Sequence, residues 1–135
     1  MEIKLSSHGS YRHQYHIVWI PKYRRRILEG EIKLLTEKSL REITKYHPDV
    51  HVIKMNVQED HIHLVIEIPP RYAVSEIVGK MKQNSSRKLG RKVKGEAVWS
   101  PGFSSSTVGL DEKAVMKYVE HQEKMDSGEY QLKLF

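Results

Sequence analysis

Two short stretches of the chain hold residue types that do chemistry at a useful spacing. The first is Asp60-His61-Ile62-His63-Leu64-Val65-Ile66. Side chains two apart on a strand point the same way, so His61 and His63 share one face and Ile62, Leu64, Ile66 and Ile68 the other. Two imidazoles roughly 6–7 Å apart along a strand can grip one metal ion. The second stretch is Tyr118-Val119-Glu120-His121-Gln122. On a helix, Tyr118 and Gln122 stack one turn apart, on a face that also carries Ala114, Val115 and Met125. Gln122 can lend its carbonyl oxygen to a metal held by the histidines, which sets the Tyr118 phenol beside whatever the metal polarises. His121 is the rival third ligand and points to a different side of the helix. Each motif alone has a plainer explanation: surface histidines on a half-buried strand, and a packing tyrosine with a boundary glutamine.

The elements that must position these residues follow from periodicity. Residues 11–20 alternate Tyr15, Ile17, Trp19 against His16, Val18, Ile20, a strand apolar on both faces that Pro21 ends. A helix is expected from about Gly30 to Tyr46, with Ile32, Leu35, Ile43 and Tyr46 on one side and Leu40 at its edge. Val50 to Met55 and about Val57 to Ile68 read as two strands or as one bent strand. Ser75 is the expected cap of a second helix, which buries Val74, Ile77, Val78, Met81, Ser85 and Leu89 and ends at Gly90. Residues 97–109 read as a loop and a last strand. Asp111 caps a third helix through about Lys124, and the alternating tail 130–135 suggests an edge strand. The order β-α-β-β-α-β is the ferredoxin-like (RRM-like) α+β arrangement: helices on one sheet face, the other face open, plus a C-terminal helix carrying Tyr118. The apolar face of a strand must meet the helices, so His61 and His63 belong on the open face.

At 135 residues the chain is expected to be one domain, with a core over about 11–125 and a tail over 126–135. The absence of cysteine excludes disulfides, thiolate metal sites and a cysteine nucleophile. The longest apolar run, Ile17 to Ile20, is far too short to span a bilayer, and the N-terminus has no apolar signal core. A cytoplasmic location is expected.

With 23 Lys+Arg against 17 Asp+Glu the formal charge is +6, which favours a polyanionic partner. The cations are grouped. Lys22-Tyr23-Arg24-Arg25-Arg26 packs four into five positions, and Lys80 to Lys94 holds seven cations (80, 82, 87, 88, 91, 92, 94) and no acid. Lys80, Asn84 and Arg87 recur at helical spacing as a candidate DNA-facing stripe, with Lys88 beside it. Lys22, Tyr23, Arg24 and Arg25 form the other candidate surface, where Tyr23 can stack on an unpaired base.

Taken in order, these stretches resemble a known family. Asp60-His61-Ile62-His63-Leu64 is similar to the His–hydrophobic–His (HUH) motif, and Tyr118 to Gln122 to the tyrosine-helix motif, of the single-tyrosine HUH transposases. These serve the smallest insertion sequences, which move as single strands. Val18-Trp19-Ile20-Pro21-Lys22-Tyr23-Arg24 resembles the family's first strand and basic turn, and Trp99-Ser100 with Ser106-Thr107-Val108-Gly109 its last strand. Phe103-Ser104-Ser105-Ser106 departs from the bulky aromatics usual there.

The resemblance implies cleavage of single-stranded DNA by Tyr118 through a 5′-phosphotyrosine, with His61, His63 and Gln122 on Mg²⁺ or Mn²⁺. It also implies recognition of hairpins at the element ends, and a homodimer whose tyrosine helix can serve the partner's histidines. The alternatives are a non-catalytic module for single-stranded nucleic acid and a phosphodiesterase whose histidines activate water. A host-adapted relative acting on chromosomal repeats would share all the motifs.

Overall fold

The computed structural model describes residues 4–6, 9–11, 13–93, 97–107, 109 and 111–128. A short antiparallel pair, β1 (Lys4–Ser6) and β2 (Gly9–Tyr11), precedes the main body. Four strands then form one antiparallel sheet: β3 (Gln14–Trp19), β4 (His51–Gln58), β5 (His61–Glu67) and β6 (Ser104–Ser106), in the order β4-β5-β3-β6. Helices α1 (Gly30–Arg41), α2 (Ile43–Tyr46) and α3 (Val74–Leu89) connect them, and α4 (Glu112–Ser127) follows the last strand. This is the expected β-α-β-β-α-β α+β fold with a C-terminal helix.

The alternation of β3 and β5 sorts their side chains onto two faces. Ile17 and Trp19 of β3 and Ile62, Leu64 and Ile66 of β5 are fully buried against the helix layer, with Leu40, Ile77, Val78, Met81 and Leu89. Burying each such side chain contributes about 1.5–3 kcal/mol. Trp99 closes the end of this layer, edge-on to Trp19 and donating its indole N–H to buried Ser85. On the opposite face Val18 and Ile20 meet Val115 and Val119 of α4, with Tyr118 packed alongside. The face expected to be open is therefore partly covered by the C-terminal helix.

Several boundaries differ from the sequence reading. Residues 51–67 are two strands that turn at Glu59–Asp60, and a register shift between Val52 and Lys54 bends β4. The first helix breaks at Glu42, and Tyr46 is 71% exposed, off the core face assigned to it. Ala73, not Ser75, precedes α3, with no side-chain cap, and Gly90 ends it in an ordinary helical conformation. Asp111 caps α4 as expected, accepting the Ala114 N–H at 2.8 Å, and left-handed Gly128 closes its other end. The tail strand expected over 130–135 lies outside the described residues.

Candidate active site

His61 and His63 stand on the α4 side of β5. Val18 of β3 and Asn56 of β4 flank His63, and Gln58 lies opposite His61. A cleft above the pair is lined by Asn56, Gln58, His61 and His63 from the sheet and by Glu112, Val115 and Met116 from the first turns of α4.

The two imidazoles are held differently. His61 Nδ1 lies 2.9 Å from Asp60 Oδ1, a contact in which the carboxylate accepts the ring N–H. His63 Nε2 is buried with no hydrogen-bond partner. Burial first, then the neighbouring His16 and His61, holds the His63 pKa below its ordinary value, so the ring is neutral and its lone pair available at neutral pH. His16, on β3 beside this pair, has its ring centroid 5.7 Å from that of His63, and its Nδ1 is also buried without a partner. Such orphaned donor atoms are what a metal site shows before its ion is counted. Among the described residues no trio of His, Cys, Asp or Glu is grouped to hold a metal.

Tyr118 and Gln122 share a face of α4 but do not line that cleft. Tyr118 borders a depression further along the helix, with Lys117, Glu120, His121 and Lys124. Its hydroxyl is buried without a partner, and burial, with a smaller push from Asp126, raises its pKa to about 12. Gln122 Nε2 donates to Ser100 Oγ at 2.9 Å and to the Pro101 carbonyl at 3.3 Å. His121, the rival ligand, is exposed.

The second half of α4 is fastened to the basic turn. Lys22–Arg24 forms a 3-10 turn in which Tyr23 (φ 61°) and Arg24 (φ 54°) are left-handed although neither is glycine. Such conformations cost about 1–3 kcal/mol each and persist only where surroundings hold them. Here Asp126 of α4, its side chain 3% exposed, accepts the Tyr23 N–H at 3.0 Å and the Ser100 hydroxyl at 2.8 Å, with Lys22 Nζ 3.8 Å away. Arg24 bridges Asp60 (2.8 Å) and Glu123 (3.3 Å). Arg25 donates to the carbonyls of Lys22 and Ala97. Nearby Lys82 donates to the carbonyls of Ser100 and Gly102; burial lowers its pKa to about 8 against the opposing pull of Asp126. Within the basic run Arg24 and Arg25 are thus engaged with the protein itself, while Tyr23 presents a 45% exposed ring with Lys22 Nζ 5.2 Å from its centroid.

On the helix layer, Lys80, Asn84 and Arg87 line one groove between α3 and the α1–α2 pair, floored by Ile43 and Met81 and edged by exposed Tyr46. Lys80 pairs with Glu76 at 3.3 Å, Asn84 donates to Glu42 and to the Ser39 carbonyl, Arg87 donates to Asn84, and Lys88 pairs with Glu42. The sequence reading paired these residues with no acid. The structure supplies Glu42 and Glu76, which α1, its break and the first turn of α3 bring alongside.

Comparison with known proteins fits this arrangement. A model of IS200-like transposases matches residues 9–122. The transposase of insertion sequence element IS200 from Salmonella typhimurium is 31% identical over 138 residues, covering 97% of this chain and 90% of the relative. The ISDra2 transposase TnpA of Deinococcus radiodurans is 32% identical over 130 residues, covering 90% and 92%. A solved chain from Deinococcus radiodurans, assigned as a transposase, superposes with a TM-score of 0.79 at 24% identity, over 88% of this chain and 97% of that one. A REP-associated tyrosine transposase bound to a REP hairpin superposes at 0.59 with 15% identity, over 92% and 75%. The fold and these relatives define a transposase, an enzyme that cuts and moves DNA. The chain belongs to the IS200-like transposase family.

Proposed function

We propose that this protein cuts and rejoins single-stranded DNA with Tyr118 as the nucleophile, beside a Mg²⁺ or Mn²⁺ ion held by His61, His63 and Gln122. The observation that carries this reading is the buried, partnerless Nε2 of His63 beside an His61 ring fixed through its other nitrogen by Asp60. Among the described residues no third His, Cys, Asp or Glu is grouped with the two imidazoles to hold a metal, and this reading gives the remaining positions to oxygen donors: the Gln122 carbonyl, water and phosphate. Such oxygens favour a hard ion. When bound, the ion neutralises charge on the scissile phosphate and eases departure of the leaving oxygen.

The Tyr118 oxygen attacks phosphorus and the bond to the 3′ oxygen breaks. The products are a 5′-phosphotyrosine and a free 3′-hydroxyl. The covalent link keeps the energy of the phosphodiester, so attack by a new 3′-hydroxyl restores the strand without ATP. Tyr118, buried in its seam with its pKa near 12, is inert where it lies. It and Gln122 lie outside the lining of the histidine cleft, and in this reading they meet a histidine pair when α4 is seated elsewhere. A homodimer in which α4 serves the partner's histidines meets this requirement. Lys80, Asn84, Arg87 and Lys88 on the helix layer, with Lys22 and Tyr23 at the basic turn, are the residues proposed to hold hairpin DNA. The hairpin-bound tyrosine transposase of the same fold favours that partner.

The test is incubation with single-stranded DNA from the flanks of the native locus and Mg²⁺ or Mn²⁺. A denaturation-resistant adduct is expected, joined through the 5′ phosphate of the fragment 3′ of the cut, and Tyr118→Phe should bind the DNA without forming it. Cleavage without adduct would establish a hydrolase, and binding without cleavage a recognition module.

A further inference from the structure

Asp60 is the hub of a contact chain that runs from the histidine pair to the tyrosine helix. One carboxylate oxygen takes His61 Nδ1 at 2.9 Å and the other takes Arg24 Nε at 2.8 Å, and the guanidinium reaches on to Glu123 of α4 at 3.3 Å. The inner members are largely shielded, with side chains 14% (His61), 15% (Asp60) and 19% (Arg24) exposed. Arg24 is delivered to this position by a left-handed backbone, and Asp126 of α4 takes the N–H of the preceding left-handed residue, Tyr23. A surface ion pair formed by chance would not require two non-glycine residues to hold that conformation.

We propose that Asp60 is a positioning residue of the site, with Arg24 as its anchor: it fixes the His61 tautomer and ring so that Nε2 faces the metal. This rests on the reading of His61 as a ligand. A carboxylate that accepts the second N–H of a ligating imidazole sets its tautomer and raises its basicity, and losing it typically costs 10–100-fold in metal affinity. Arg24 keeps the carboxylate from swinging away from the ring. Because the same guanidinium also holds Glu123, the orientation of His61 and the seat of α4 draw on one side chain.

The test uses the full chain without DNA. Mn²⁺ uptake is followed by the loss of the free-ion electron paramagnetic resonance signal, and the His61 tautomer is read from its ring ¹⁵N shifts. Asp60→Asn should weaken Mn²⁺ binding by about 10–100-fold and redistribute the proton between Nδ1 and Nε2, with backbone spectra unchanged. Arg24→Met, which leaves the carboxylate in place without its anchor, should shift both readouts in the same direction by less. Wild-type affinity and an unchanged tautomer in Asp60→Asn would overturn the proposal. A wild-type chain that takes up no Mn²⁺ refutes the metal reading instead, and the tautomer measurement then still decides whether Asp60 positions the ring.

Discussion

The two faces of the sheet are made by alternate residues of the same strands, yet they are closed in different ways. Toward α1 and α3, the side chains of Ile17, Ile62, Leu64 and Ile66 vanish into a continuous apolar layer. Toward α4, four buried residues, Val18, Ile20, Val115 and Val119, do that work, and the rest of the seam is ion pairs and hydrogen bonds. Of the four buried side-chain polar atoms without a partner among the described residues, three lie on the α4 side: His16 Nδ1, His63 Nε2 and Tyr118 Oη. One face is built to stay shut. The other holds polar groups at a standing cost, which an ion, a phosphate or a second chain would offset.

The largest effect should come from breaking the first face. Leu64→Ala is expected to cost about 2–5 kcal/mol, since the site is fully buried and cannot collapse around the lost atoms; urea unfolding measures it. His63→Ala, one residue away on the other face, should leave stability nearly unchanged while cleavage disappears. A large loss of stability in His63→Ala would erase the distinction between the faces.

Tyr118→Phe should move in the opposite sense. Removing a buried hydroxyl that has no partner relieves its desolvation, so the variant should be more stable by about 1 kcal/mol while losing its chemistry. Thermal unfolding checks this, and a destabilised variant would mean the hydroxyl is bonded.

The same phenol gives a pH test. Its folded pKa, near 12, lies above the unfolded value of about 10. Below pH 10 its titration leaves stability unchanged, and as pH rises from 10 toward 12 the unfolded chain ionises first and folding stability falls. Lys82, with a folded pKa near 8 and below its unfolded value, works the other way, adding stability as pH rises from about 8 to 10.5. The wild-type minus Tyr118→Phe difference cancels Lys82 and should fall across the alkaline window. The smallest expected effect is that of Glu123→Gln. Its partner Arg24 keeps Asp60, and Glu123 itself is 46% exposed, so the loss should stay within about 1 kcal/mol.

Much of this was legible in the chain. The period of two along Ile17–Ile20 and Ile62–Ile68 placed the histidines on the correct face before any coordinates, because a slip of one residue would bury them. The helix pattern of Ile77, Val78, Met81 and Leu89 was equally plain. The seat of α4 was not, since amphipathicity says which side of a helix is apolar but not which surface it meets. Arg24 and Arg25 read as solvent-facing cations for a related reason: their partners Asp60, Glu123 and Ala97 are 36 or more residues away, and charge along a string does not reveal distant pairing. In the chain Asp60 reads only as part of a motif, and its contact with Arg24, 36 residues away, appears only in the fold.

The closed ends of α4 have a consequence for how such a protein can change over time. Asp111 begins the helix and Gly128 finishes it, so its sixteen residues carry their own punctuation and need no sheet beneath them to define where they start and stop. Tyr118 and Gln122 then sit about 6 Å apart along the axis wherever the helix is seated. The helix is in effect a ruler, and the spacing it sets is fixed between its own two ends. Inserting one residue between Tyr118 and Gln122 breaks that measure, because it widens the angle between the two side chains from about 40° to about 140°.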